Sequence, residues 1–272
     1  TLHGTFLKRD NATFTMVFCS GFYPGLKEGI ATFVDIVPDN CNILFFDARG
    51  HGESDGEFFK KIRTYGDVEY NDVIGALEFV HEQNKDLPIV LYGVCAGAFH
   101  ATRALLKLQK QGRIKELNIQ GFVFDSGWSS IKAVALTAPR SEINSRFAHW
   151  CKKYTANDGT NVRDSILYKA LSTISSGVLR GVHFCIVTPV IYNHDRRIDF
   201  ADKIGELEIP IWYVHSEDDD FSPFKAVKNL YEKSRQSGRR ATYWWIDASK
   251  HSKHSCHQIT QAREYCERME EF

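Results

Sequence analysis

The stretch Leu87-Pro-Ile-Val-Leu-Tyr-Gly-Val-Cys-Ala-Gly-Ala-Phe-His100 constrains the fold most tightly, because it demands a strand, a sharp turn and a helix with no linker between them. Residues 89–92 form an apolar run of the length of a buried strand. From residue 96 to 110 the apolar positions Gly97, Ala101, Ala104, Leu105 and Leu108 fall at helical spacing, and the first turn presents only small residues. Gly93 and Gly97 flank Cys95, where a Cβ would collide with a neighbouring strand or helix. A thiol at a helix N-terminus lies at the positive end of the macrodipole, which favours the thiolate, and a neighbouring histidine favours it further. Cys95 is therefore a candidate nucleophile, with the N–H of Ala96 placed to meet a developing oxyanion. A buried structural thiol fits the same pentapeptide, since free cysteines are among the most buried residues, so the remainder of the chain has to decide.

At 272 residues, 43% hydrophobic and 13% aromatic, the chain can bury one large core or two small ones. Lys plus Arg and Asp plus Glu each total 34, so no net field draws it to nucleic acid or to an anionic membrane. A small-molecule or uncharged partner is expected. The seven cysteines, at 19, 41, 95, 151, 185, 256 and 266, are odd in number and lack C-x-x-C spacing, which predicts reduced thiols in a cytoplasmic compartment. No signal peptide is visible, and the most apolar segment, residues 181–192, is interrupted by His183 and Pro189 and falls short of the ~20 residues a membrane span needs.

Further strands are expected near residues 2–8, 15–19, 42–46, 119–124, 211–215 and 242–246, and helices near 29–37 and 65–82. Strands alternating with helices imply an α/β chain with a mostly parallel, doubly wound sheet. The alternation lapses between residues 130 and 195. That block is expected to be a helical cap inserted between core segments 1–129 and 196–272.

Four motifs in this order resemble those of the α/β-hydrolase superfamily. Cys19-Ser-Gly-Phe-Tyr-Pro-Gly25 is similar to its oxyanion loop, and Asp47-Ala-Arg-Gly-His-Gly-Glu-Ser54 to its D-x-R-G-x-G-x-S turn. Gly93-Val-Cys-Ala-Gly97 resembles the nucleophile elbow G-x-S-x-G with cysteine for serine. Pro210-Ile-Trp-Tyr-Val-His-Ser-Glu-Asp-Asp-Asp-Phe-Ser-Pro223 resembles the strand that carries the acid. Dienelactone hydrolases and polyhydroxyalkanoate synthases of the superfamily also carry cysteine at the elbow, but no subfamily follows from this.

The resemblance implies a triad in the order nucleophile, acid, histidine. Carried over, Cys95 is the nucleophile and Asp219 the acid, with Asp218 and Asp220 adjoining it and Asp125 an alternative after an earlier strand. His251 stands at the expected distance after the last strand, and His254 is its rival. The N–H groups of Ala96 and Phe22 would form the oxyanion hole. His251, His254 and His257 recur every third residue, a spacing that does not gather all three imidazoles on one helical face, and no acidic ligand accompanies them. Neither a metal nor a cofactor is expected.

These residues point to acyl transfer to water from an ester, lactone or thioester through an acyl-cysteine. An acyltransferase that passes the acyl group to an alcohol, amine or thiol uses the same residues. A binding module that keeps the fold without the chemistry is the third reading, because fold alone does not assign function. Trp128, Phe147, Trp150 and Phe184 are candidates for an apolar acyl pocket, though aromatic residues at such spacing also serve as core.

Overall fold

The computed structural model describes residues 1–21, 32–57, 65–135, 166–182, 188–236 and 240–272, together with 137, 139, 141, 143, 144, 146 and 238. Its seven strands are β1 (Gly4–Leu7), β2 (Phe14–Cys19), β3 (Cys41–Phe46), β4 (Ile89–Val94), β5 (Ile119–Asp125), β6 (Ile211–Ser216) and β7 (Ala241–Ile246). They form one sheet in the order β1-β3-β2-β4-β5-β6-β7. Only β1 is antiparallel, pairing with β3 at one edge. The other pairings are parallel. Every residue of β3 and of β6 is buried, which is why these strands read as continuous apolar runs instead of alternating ones.

The principal helices are α1 (Tyr70–Gln83), α2 (Ala96–Lys110), α3 (Ile166–Val182), α4 (Thr188–Ile198), α5 (Phe224–Gln236) and α6 (Ala262–Glu271). The stripe read from the sequence is the buried face of α2: Ala98, Phe99, Ala101, Ala104, Leu105 and Leu108 are all covered. Helix α1 buries Val73, Ala76, Leu77 and Val80 against the same core. Cys19 lies opposite Gly93, Val94 opposite Asp125, and Asp125 opposite Val214, so the carboxyl ends of β2, β4, β5 and β6 share one rim. From β2 the chain passes outward to β3 and then returns to β4 on the other side. The rim between β2 and β4 is thus the point where strand order reverses, the usual crevice of an open α/β sheet.

Among the described residues, the segment 130–195 holds helices and no strand: a single turn at Ile131–Val134, then α3 and α4. Helix α4 continues to Ile198, past the expected boundary at 195. Of the helix expected over 29–37, residues 29–31 lie outside the described residues and only 32–34 of the remainder are helical. The pocket candidates Phe147, Trp150 and Phe184 also lie outside the described residues. Trp128 is 1% exposed, with its ring centroid 6.0 Å from that of Phe221.

The junction of β2 with α2 is the tightest approach in this part of the fold. A Cβ at Gly97 would fall on the carbonyl of Cys19, whereas one at Gly75 in α1 would meet nothing within 4 Å. Gly97→Ala is therefore expected to push β2 from α2 and destabilise the protein by about 1–3 kcal/mol. Gly75→Ala is expected to stabilise it by about 0.5–1 kcal/mol through helix propensity. Urea midpoints moving in opposite directions at an unchanged m value would bear out both.

Candidate active site

Cys95 follows β4 immediately and sits at φ 58°, ψ −122°, outside the regions open to ordinary L-residues, and α2 begins at the next residue. Such a backbone turns the chain sharply enough to point the side chain away from the sheet. Its N–H donates to the carbonyl of Asp125 at 2.9 Å, and its own carbonyl accepts from Ala98 N–H at 3.2 Å. Gly21, at the end of β2, closes over it: a Cβ there would be 2.9 Å from Cys95 Cβ and 3.2 Å from Sγ. Ala96 opens α2, so its N–H has no intrahelical acceptor. Phe22, the second expected oxyanion donor, lies outside the described residues.

Asp219 lies in the turn after β6 and is buried. Its Oδ1 accepts the backbone N–H groups of Phe221 at 2.9 Å and Ser222 at 2.8 Å. Its Oδ2 accepts from His254 Nδ1 at 2.8 Å, with His215 Nε2 at 3.5 Å. Burial alone would raise the pKa of this carboxyl, but the His254 hydrogen bond, the charges of His254 and His215 and the Ser222 N–H outweigh it, and the result lies below the ordinary value. The neighbouring acids are engaged elsewhere. Asp218 takes the Ser216 hydroxyl at 2.7 Å and Lys253 Nζ at 2.7 Å, while Asp220 accepts from Ser141 Oγ at 2.9 Å. Of the three, Asp219 meets an imidazole.

That imidazole differs from the one expected. His251 is exposed, at φ 51° at the end of a 3-10 turn, and the histidine on Asp219 is His254. The cause is local. Asp247 accepts from Ser249 N–H at 2.8 Å and so caps the turn Ala248–Lys250, which uses up one turn of chain before the loop can reach inward. The signal, Asp followed two residues later by Ser directly after the last strand, is present in the sequence. Lys253, paired with Asp218, then clamps the loop beside the acid.

The His254 ring stacks on Phe221 with centroids 4.5 Å apart. Its Nε2 is buried, and Cys95 acts on the ring both through its charge and through a side-chain hydrogen bond. Burial lowers the pKa of this histidine, yet the negative charge of Cys95 and the bond to Asp219 carry it well above 6.5. Cys95, His254 and Asp219 thus form one electrostatic unit. Asp125, the alternative acid, is held instead by Tyr92, Tyr265 and Ser126. His257 turns to Ser126 and Ser252, so the three histidines of this loop diverge. Among the described residues no group of three His, Cys, Asp or Glu side chains is placed to hold a metal ion. The five described cysteines are free.

The ring titrations are expected to separate. His254 is to titrate well above 6.5, and His215 and His257 below it because burial disfavours their charge. Asp219→Asn is to bring His254 down, which histidine 15N NMR reads directly. A pKa raised on folding adds stability that is fully present below the unfolded value of about 6.5 and is lost as pH rises through the folded one. The advantage of wild type over His254→Asn in thermal unfolding is therefore expected to be greater at pH 6 than above the His254 midpoint.

Several solved structures share this architecture. An esterase from Pyrococcus furiosus matches with a TM-score of 0.65 at 18% identity, over 96% of this chain and 82% of its own. A lipase-esterase related protein from Clostridium acetobutylicum matches with a TM-score of 0.63 at 14% identity, over 100% of this chain and 99% of its own. An acylaminoacyl peptidase from Pyrococcus horikoshii gives 0.65 at 14% identity over 100% of this chain but 39% of its own. These likenesses establish the α/β-hydrolase fold. No curated protein sequence matches the chain. The sequence profile of the family described as serine aminopeptidase, S33 matches residues 14–172, more than half of the chain, and the protein accordingly belongs to that family of α/β-hydrolases.

Proposed function

We propose that the protein is an acyl hydrolase that works through an acyl-cysteine: Cys95 attacks the carbonyl, His254 carries the proton and Asp219 orients the imidazole. One observation carries this reading. His254 is tied through Nδ1 to buried Asp219, and its pKa is raised by the charge of Cys95 and by a side-chain hydrogen bond with it. A base so placed serves nucleophilic catalysis and little else. The N–H of Ala96 supplies one oxyanion donor. That of Phe22, next to the Gly21 that closes on Cys95, supplies the second. The segment 130–195 is the cap over this rim.

The substrate class follows from the thiolate. A thiolate leaves a tetrahedral adduct more readily than an alkoxide or an amide anion, so the adduct on Cys95 reverts unless its other substituent also departs easily. Small-molecule esters, lactones and thioesters meet that condition better than peptides, which places the reading nearer the esterase relatives than the peptidase. Neither a metal nor a cofactor has a role in these steps.

The test is a panel of p-nitrophenyl esters and acyl thioesters of graded chain length. Cys95→Ala and His254→Ala are each expected to lower kcat/KM by at least about 10³-fold, and Asp219→Asn by about 10⁴-fold, as in serine triads. His251→Ala is expected to keep wild-type turnover. Undiminished turnover in Cys95→Ala would overturn the proposal. Alcohol, amine and thiol acceptors added to the same assay reveal any transfer that competes with water.

A further inference from the structure

Three consecutive residues at the carboxyl end of β5 each hold a different loop of the site. The Asp125 carbonyl accepts the Cys95 N–H at 2.9 Å. The Ser126 hydroxyl accepts the N–H of Ser255, next to His254, at 3.2 Å. The Gly127 carbonyl accepts from Ser222 Oγ at 2.6 Å, and the N–H of that same Ser222 donates to Asp219. Nucleophile, base and acid are thus referred to one short piece of backbone. We infer that Asp125-Ser126-Gly127, with His257, is a positioning unit that sets the register of the His254 loop against Cys95 and Asp219.

Asp125, Ser126, His257 and Ser252 form one connected network of side-chain hydrogen bonds. Asp125 is fully buried, and its Oδ2 lies 2.7 Å from the Tyr92 hydroxyl and 2.8 Å from that of Tyr265. Burial keeps both phenols protonated far above pH 10, so they are donors. Oδ1 takes the single proton of Ser126 Oγ at 2.7 Å. With that proton committed, Ser126 Oγ can only accept, from Ser255 N–H and from His257 Nε2 at 3.0 Å. His257, kept neutral by burial, therefore carries its proton on Nε2, and its Nδ1 accepts from Ser252 Oγ at 2.7 Å. The network runs from Asp125 through Ser126 and His257 to Ser252, whose Oγ also lies 2.6 Å from Thr260 Oγ1. Ser126, directly after β5, and Ser255, beside His254 in the last loop, both stand at positive φ, 51° and 54°, conformations that their backbones alone would not hold.

Removing the Ser126 hydroxyl frees the Ser255 N–H and lets His254 drift from its partners. A misplacement of about 1 Å in a catalytic group costs on the order of 100-fold in rate. The inference rests on the acyl-cysteine reading, and the test separates the two. Ser126→Ala, His257→Leu and His257→Gln are compared with wild type per folded molecule, by ester kinetics and by 15N NMR titration of His254. Ser126→Ala and His257→Leu are expected to lower kcat about 10- to 100-fold with KM within about twofold, and to move the His254 midpoint down toward 6.5. His257→Gln keeps a donor for Ser126 and is expected to recover most of both. An unchanged His254 midpoint in Ser126→Ala, or an unchanged kcat in an active enzyme, overturns the inference, as does failure of both Ser126→Ala and His257→Leu to fold. If wild type turns over no ester and the midpoint still falls in Ser126→Ala, the positioning unit stands and the acyl-cysteine reading does not.

Discussion

The hydrogen bond from Cys95 N–H to the Asp125 carbonyl is the contact on which the rest of the site depends. A non-glycine residue at φ 58°, ψ −122° stores about 1–3 kcal/mol of strain and persists only where its surroundings leave no alternative. Here that bond carries the β4–β5 ladder one residue beyond β4, Ala98 N–H closes on the Cys95 carbonyl, and Gly21 and Gly97 leave space that only hydrogen can fill. The strain lifts Sγ out of the sheet. Cys19 and Cys41, in β2 and β3, have thiols pushed far up by burial.

Two carboxylates sit at the ends of neighbouring strands, and their partners sort them into different tasks. Asp219 receives two backbone N–H groups and an imidazole. Asp125 receives two phenols and an alcohol. Both sets meet the requirement that a buried charge be hydrogen-bonded. A phenol or an alcohol donates without titrating in the working range, so these partners fix the geometry of Asp125, which suits an anchor. An imidazole exchanges its proton, so Asp219 is coupled to whatever His254 does. Position along the fold does not separate the two; the chemistry of the donors does.

The sheet was legible because its signals are local and strong: β4 and α2 follow from apolar periodicity broken at Gly93 and Gly97, and the cysteine between them from its place in the turn. Asp219 was legible because β6 and Pro223 bracket it to within a residue. His254 was not separable from His251, because the distance from the last strand depends on whether the chain spends a turn at Asp247, and that capping contributes little to any residue count. The roles of Ser126 and His257 were out of reach of the sequence. They arise from groups more than 125 positions apart, 131 for the Ser126–His257 pair, which meet only once β5 and the last loop are assembled. Asp125 was noticed as a possible acid, yet what it holds depends on Tyr265, in the final helix.

On the acyl-cysteine reading proposed above, cysteine at the elbow changes where the difficulty of an acyl transfer lies. A serine elbow holds a neutral hydroxyl, and its histidine has to remove a proton as attack occurs. Here the charge of Cys95 and the hydrogen bond to Asp219 favour a proton on His254, which eases its transfer from the thiol to the imidazole. The same proton is then available to the leaving group, which is the step a thiolate makes hard. Cys95 is 9% exposed and the His254 side chain 15%, so little water screens the pair from Asp219. The imidazolium sits between two anions before attack and between an anion and a neutral thioester after it. In the tetrahedral adduct the charge of the sulfur has passed to the carbonyl oxygen, so the hold on the His254 proton is weaker at the stage where the leaving group takes it and the thioester forms.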